Sequence, residues 1–367
     1  MASILFYTSI RTRVKDQESL MAEFVKAGHK VYFLNQQPNP YLPSLCAQAG
    51  VHYETFEYTG PKSSSLRILY HVCKLVWFSF RHRVDIIYSH LEPANFIAVL
   101  AQYVLRARVV IVRHHLDLAA RAGFDKDRSY RMTYSLARDV IAVSDRAKRY
   151  MTVKEGVDTS KIHHIDLGYN FDVFGHPNQE TVDKIRSTHE LVLISVGRFD
   201  EFKRPDLSID VCRQLQSNGV NCHLFLLGAG PNEASLRTKV QQEGLTNVVS
   251  FVGYVDNVLD YLSAADWLLH PSISESSCVV VKEAGLVDLP IIVCEGVGDF
   301  DDYLANRKTA VIVHADSFVA DAMKAILHFR AVPEDRLQLG RELGKVVRAR
   351  FDIKNLLHQY DRFRARS

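Results

Sequence analysis

The sequence predicts an α/β protein built of two doubly wound parallel sheets. Three observations predict it. Short apolar, β-branched runs alternate with longer amphipathic stretches, the pattern of parallel strands covered by helices on both faces. The alternation runs twice, on either side of a connection bearing Gly, Pro and Asn, HHIDLGYNFDVFGHPNQE (163–180). The length, 367 residues, exceeds one compact core and suits two ordinary domains. The expected division is 1–172 and 173–350.

In the first half the expected strands are SILFY (3–7), KVYFL (30–34), VDIIYS (84–89), RVVIV (108–112) and DVIAVS (139–144). Between the first two, DQESLMAEFVKAGHK (16–30) reads as an amphipathic helix closed by Gly28. The segment LRILYHVCKLVWFSFRHR (66–83) interleaves Arg67, Lys74, Arg81 and Arg83 with Trp77, Phe78 and Phe80. It reads either as a surface helix touching anionic lipid or, preferred here, as a helix packed on the first sheet. In the second half the expected strands are LVLISVG (191–197), CHLFLLG (222–228), NVVSFVG (247–253), DWLLHP (266–271), PIIVC (290–294) and TAVIV (309–313). Helices are expected to start near Pro205, Pro231, Val258 and Ser277, and the tail FDIKNLLHQYDRFRARS (351–367) reads as helical.

Composition narrows the function. A formal charge of +3 and a pI near 8.4 are too mild for a nucleic-acid binder. The six cysteines form no Cys-x-x-Cys pair and are expected as buried free thiols in a reducing compartment. The N-terminus has no charged segment followed by a long apolar one. The longest apolar region, residues 69–80, is too short to span a bilayer. A cytoplasmic protein, soluble or peripheral at the inner face of a membrane, is expected.

Parallel sheets bind ligands at the carboxyl ends of their strands, and two in one chain put a cleft between them. The second half carries three stretches suited to such a place. Gly197-Arg198-Phe199-Asp200-Glu201-Phe202-Lys203-Arg204-Pro205 ends a strand on glycine, sets two cations five apart and opens a helix on proline. Arg198 and Lys203 can converge on one anion, the first as a bidentate fork, the second as a point charge; the plainer reading is two solvated loop cations. Leu227-Gly228-Ala229-Gly230-Pro231 allows close backbone approach at a helix start. In SESSCVVVKEAG (274–285), Glu275 falls in a loop and Glu283 inside a helix expected over Cys278–Leu286, with Ser274, Ser276 and Ser277 as possible caps. The first-turn amides between the two glutamates suit a phosphate, and the carboxylates suit two sets of hydroxyls. The plainer reading is a helix with a surface glutamate at each end.

These residues resemble the retaining family 4 glycosyltransferases of the GT-B fold, two Rossmann-like domains facing a central cleft. Beside Glu275-x7-Glu283 and Gly197-Arg198…Lys203, the resemblance runs through Ala27-Gly28-His29-Lys30-Val31, Arg113-His114-His115, Val143-Ser144, Gly228-Ala229-Gly230-Pro231, Phe251-Val252-Gly253 and Ala265-Asp266 to Pro271-Ser272. It implies an N-terminal acceptor-side domain, a C-terminal nucleotide-sugar domain, and a last helix (351–367) packing back on the first.

It also implies roles. Arg198 and Lys203 would hold the donor diphosphate and Gly197 and Gly228 would border it. Glu283 would hold ribose hydroxyls and Glu275 those of the donor sugar. The backbone of Ser276, Ser277, Cys278 and Val279 would meet sugar and phosphate, and Tyr254 and Val255 the base. His114, with His115 as the adjacent alternative, would come from the other domain.

Three segments depart from the family pattern. Its Gly-Gly loop is here Tyr7-Thr8-Ser9-Ile10-Arg11-Thr12-Arg13, where Ser9, Arg11 and Arg13 become candidate acceptor or phosphate contacts. Its Gly-Phe-Gly is Ser276-Ser277-Cys278, and its Asn-Gly-Val-Asp is Leu167-Gly168-Tyr169-Asn170.

The activity implied is metal-independent, retaining transfer of a hexosyl group from a UDP- or GDP-sugar to an acceptor hydroxyl, in polysaccharide, glycolipid or other glycoconjugate biosynthesis. Asp299-Phe300-Asp301 is formally a metal-binding Asp-x-Asp but is expected to start a helix. The alternatives are a non-catalytic nucleotide-sugar-binding subunit and a nucleotide-sugar epimerase. Expected partners are the donor and a glycan or lipid-linked acceptor, with no nucleic acid and no resident cofactor.

Overall fold

The computed structural model describes residues 1–61, 63–114 and 124–364, with the backbone alone for 124–129. It divides into two compact units. One comprises Met1–Val173 and the C-terminal segment from Phe351; the other is Phe174–Arg350.

The first unit holds seven parallel strands: β1 (Ser3–Thr8), β2 (Lys30–Asn35), β3 (His52–Thr55), β4 (Ile86–His90), β5 (Arg108–Arg113), β6 (Asp139–Ala142) and β7 (Ile162–His164). Their order is β3-β2-β1-β4-β5-β6-β7. The second unit holds six: β8 (Val192–Val196), β9 (His223–Leu227), β10 (Val249–Gly253), β11 (Trp267–His270), β12 (Ile291–Cys294) and β13 (Val311–Val313), in the order β10-β9-β8-β11-β12-β13. In each sheet the winding reverses beside the first strand, between β1 and β4 and between β8 and β11. That crevice is where doubly wound folds place ligands.

Alternate residues of β1 feed two cores. Leu5 and Tyr7 join the cluster that includes Leu75 and Phe78 of the Ser64–Arg81 helix. Ile4 and Phe6 join Phe24 of the Lys15–Lys26 helix and, from the C-terminal segment, Ile353, Tyr360 and Phe363. Side chains on both faces of the strand are dry, which is why these strands read as unbroken apolar runs.

Several details differ from the sequence reading. The two edge strands β3 and β7 were not expected; β3 is HYET, with no dry face, and β7 has three residues. Residues 163 and 164 thus belong to the sheet rather than to the connection. The first helix stops at Lys26, and Gly28 (φ 80°) closes it just past its end, as expected. Two helices start two residues beyond Pro231 and Ser277, at Glu233 and Val279. The tail is one α-turn, Ile353–Leu356, followed by a 3-10 helix, Leu357–Phe363. Cys73 is exposed, whereas the other five cysteines are buried.

Candidate active site

In the second unit the loops after β8, β9 and β10 interlock through backbone hydrogen bonds. Gly197 N–H donates to the Leu227 carbonyl (3.0 Å), Gly228 N–H to Gly253 (2.8 Å) and Phe199 N–H to Ala229 (3.1 Å). Glycine is required here for space. A Cβ on Gly228 would stand 2.1 Å from the Gly197 carbonyl oxygen, and one on Gly230 would stand 2.4 Å from that of Phe199. The Gly-Ala-Gly-Pro turn therefore fixes the loop that carries Arg198 and Lys203.

That loop is joined to the one after β11. Ile273 N–H donates to the Phe202 carbonyl (2.9 Å), and Arg204 Nε donates to the Pro271 carbonyl (3.1 Å). Across this seam Lys203 Nζ donates to Glu275 Oε1, and His270 Nε2 lies 2.8 Å from the same oxygen. Cys278 Sγ is 3.4 Å from His270 Nε2. The Glu275 side chain is only 9% exposed.

The charges follow from this packing. Burial would raise the Glu275 carboxyl pKa, but Lys203 and His270 outweigh it and hold it well below the usual carboxylate range. Burial would likewise lower His270, yet Cys278 and Glu275 hold its pKa up at about 9. Lys203 is raised by Glu275 against its own desolvation. Glu275 is thus an ionised carboxylate with a cation on either side, held for accepting hydrogen bonds rather than for moving protons. His270, Glu275 and Cys278 offer N, O and S atoms within 4.8 Å of one another, a donor set of the kind that holds thiophilic metals. Lys203 shares that carboxylate.

Lys203 pairs with Glu275, while the Arg198 side chain is 69% exposed and comes no nearer than 3.9 Å to Asp200. Glu283 is buried in the second turn of the Val279–Leu286 helix, not a surface residue. The helix cap is Cys278, whose N–H faces Asp299 Oδ1 at 3.4 Å. Asp299 also accepts from Lys282 Nζ and from Ser277 Oγ (3.0 Å), and both members of the Lys282–Asp299 pair are dry. The first carboxylate of the Asp-x-Asp is therefore committed to a structural ion pair. Gly298 (φ 60°) passes so close that a Cβ there would stand 2.6 Å from Glu275 Cβ. Tyr254 is 83% exposed just after β10, with Val255 half-buried beside it.

In the first unit, His114 follows β5 and its Nε2 lies 2.8 Å from Nδ1 of buried His90, at the end of β4. Burial and the neighbouring His114 hold His90 well below the ordinary imidazole pKa. Ser9, after β1, donates to the Glu92 carbonyl (3.2 Å), so residues following β1, β4 and β5 meet at the switch point. A cavity of about 180 Å³ lies there, bordered by Ser9, Glu92, Asn95, His114, Tyr130 and Tyr134. Arg13 is paired with Glu18 (2.8 Å) and Arg11 Nε donates to Gln37 (2.7 Å). His115 lies outside the described residues.

Sequence reasoning missed His270, Lys282, Asp299, Gly298 and His90 as members of these clusters. The available signal was polarity out of place: histidine closing two otherwise apolar strands, and lysine inside an apolar helix.

Two doubly wound units, the second carrying glutamates on a loop and helix beside a glycine-bordered cation loop, define the GT-B glycosyltransferase class. Comparison with known proteins bears this out. Residues 18–173 match the family model described as Glycosyltransferase Family 4, and residues 178–343 match Glycosyl transferases group 1. The chain belongs to the family 4 type of GT-B glycosyltransferases.

It is 22% identical over 358 residues to N-acetyl-alpha-D-glucosaminyl L-malate synthase of Bacillus anthracis, covering 92% of this chain and 90% of that one. It is 26% identical over 251 residues to the amylovoran biosynthesis glycosyltransferase AmsK of Erwinia amylovora, covering 63% of this chain and 60% of AmsK. The crystal structure of Anabaena Alr3699/HepE in complex with UDP and glucose superposes with a TM-score of 0.83 at 17% identity, covering 99% of both chains, which shows the shared fold. Among the described residues no helix is long and apolar enough to cross a membrane.

Proposed function

We propose that this glycosyltransferase moves a hexosyl group, with retention and without a metal ion, from a UDP- or GDP-sugar to an acceptor hydroxyl of a polysaccharide, glycolipid or other glycoconjugate. The observation that carries the reading is the ionised, doubly paired Glu275 at the carboxyl edge of the second sheet, with Glu283 in the following helix. The name of AmsK supports polysaccharide synthesis, and the ligands named for HepE support a uridine nucleotide.

In this reading the second unit holds the donor. Arg198 is free to swing onto the diphosphate, and the Lys203 ammonium, with three N–H donors, serves Glu275 and a phosphate oxygen together. Gly197 and Gly228 let the backbone approach. Tyr254 and Val255 take the base, Glu283 the ribose hydroxyls, Glu275 hydroxyls of the sugar, and the backbone of Ser276, Ser277, Cys278 and Val279 the sugar and phosphate. The bond from the anomeric carbon to the leaving phosphate oxygen breaks while the acceptor oxygen bonds to that carbon on the same face. The acceptor proton passes to the departing phosphate. Cations and helix amides aimed at the growing negative charge supply the rate enhancement. The first unit serves the acceptor, with His114, or His115 in its place, as the candidate histidine and Ser9, Arg11 and Arg13 as candidate contacts in the first loop.

The test is turnover with a panel of nucleotide sugars and glycan acceptors, followed by NMR of the anomeric coupling in the product. Transfer with the donor's configuration retained is expected. An inverted product overturns the mechanism, epimerised donor without transfer points to the epimerase alternative, and no turnover points to the non-catalytic subunit.

A further inference from the structure

We infer that the Ser64–Arg81 helix docks on an anionic lipid surface, through a stripe of side chains the fold leaves uncovered. The helix has two apolar faces. His71, Leu75, Phe78 and Ser79 face the protein and are buried. Leu66, Leu69, Cys73, Trp77 and Phe80, spaced by three and four residues, share the opposite side. Leu66 is 48% exposed, Leu69 58%, Trp77 48% and Phe80 50%, and Cys73 is exposed as well. Five such residues in one line are not the scattered apolar contacts of an ordinary surface. They run along about 21 Å of helix, enough to lie in a membrane interface and too short to cross one.

The charge beside the stripe selects the occupant. Arg67, Lys74 and Arg81 recur every seven residues and so form one row along the flank of the apolar line. No acidic residue occurs between Glu57 and Asp85, a stretch that also holds Lys62 and Arg83. The Arg81 guanidinium lies 5.3 Å from the Trp77 ring centre, and Lys74 Nζ lies 5.7 Å from it. The neighbouring helix Ala94–Ala101 packs against this one, and beyond its end Tyr103 and Val104 are exposed, with Arg138 5.6 Å over the Tyr103 ring. Aromatic rings bracketed by cations match the boundary between acyl chains and anionic headgroups. A second copy of the chain fits less well, since a two-fold contact through this helix sets one cation row against another with no carboxylate on the helix between them.

The sequence reading preferred a helix packed on the sheet. The structure satisfies that packing with the inner face alone and leaves the outer stripe unaccounted for. The inference is independent of which sugar the enzyme moves.

Vesicle binding by the full-length protein tests it. The two tryptophans make the readout specific, because Trp267 is buried in the second unit and Trp77 is exposed. Phosphatidylcholine vesicles containing phosphatidylglycerol should shift Trp77 emission to the blue and co-sediment the protein at low salt, and vesicles of phosphatidylcholine alone should do so much less. Each cation removed, as in Lys74→Ser and Arg81→Ser, should weaken binding roughly fivefold. Leu69→Ser with Phe80→Ser should abolish it while melting temperature and nucleotide binding stay unchanged. No binding to the anionic vesicles at low salt overturns the inference. So does self-association that the same substitutions abolish when vesicles are not bound.

Discussion

Lys203 and Glu275, 72 residues apart in sequence, close an ion pair that ties the loop after β8 to the loop after β11. The pair spans the crevice where the second sheet reverses its winding. It makes one carboxylate both a structural link and the best-defined polar group of the candidate donor site.

Removing one partner should cost more than removing both. Lys203→Met leaves Glu275 buried beside His270 alone, and a buried charge deprived of a partner typically costs about 3–5 kcal/mol. Lys203→Met with Glu275→Leu should regain most of that loss in denaturant titrations. Both variants should be inactive, as should Glu275→Gln, which keeps the shape but not the charge.

The approach of Gly298 to Glu275 predicts a separable effect on activity. Gly298→Ala pushes a methyl group into the Glu275 side chain and should lower turnover at least tenfold. Gly219→Ala has the same left-handed backbone (φ 75°) with nothing within 4 Å. It should cost about 1–2 kcal/mol of stability from backbone strain and leave turnover unchanged.

Stability should fall on the alkaline side because of His270. Its folded pKa of about 9 lies above the ordinary 6.5, so its contribution is fully present below about pH 6.5 and is lost as pH rises toward 9. The shift corresponds to at most roughly 3 kcal/mol. Melting curves between pH 6 and 10 should show this decline in the wild type and a flatter profile in His270→Gln.

The commitment of Asp299 to Lys282 predicts that the Asp-x-Asp is not a metal site. Asp299→Ala should destabilise the second unit by about 3–5 kcal/mol, since it removes the carboxylate that pairs with the dry Lys282 ammonium. Asp301 is exposed, and Asp301→Ala should leave turnover unchanged, as should a chelator. Loss of activity with the chelator and with Asp301→Ala together would show a metal role.

Strand and helix periods made the two sheets legible, because strands such as LVLISV and PIIVC are dry on both faces and cannot read as anything polar. The edge strands escaped for the opposite reason: HYET and IHH have too little burial to leave a pattern. At the site, the glutamates, the cation loop and the glycine turn could be found from local spacing. Their partners could not. Lys203 reaches Glu275, and Lys282 reaches Asp299, through folding that no periodicity encodes. The outer stripe of the Ser64–Arg81 helix was present in the sequence as surplus apolar residues, but only the packing shows which face the sheet uses.

In the proposed reading the second unit holds a nucleotide-diphosphate sugar. Calorimetric titration with UDP, GDP, ADP, CDP and dTDP, chelator present, tests it most directly. UDP or GDP should bind the wild type, and Arg198→Ala and Glu283→Gln should each weaken binding with the fold intact. Absence of binding by every nucleotide, or binding that neither substitution changes, would contradict it.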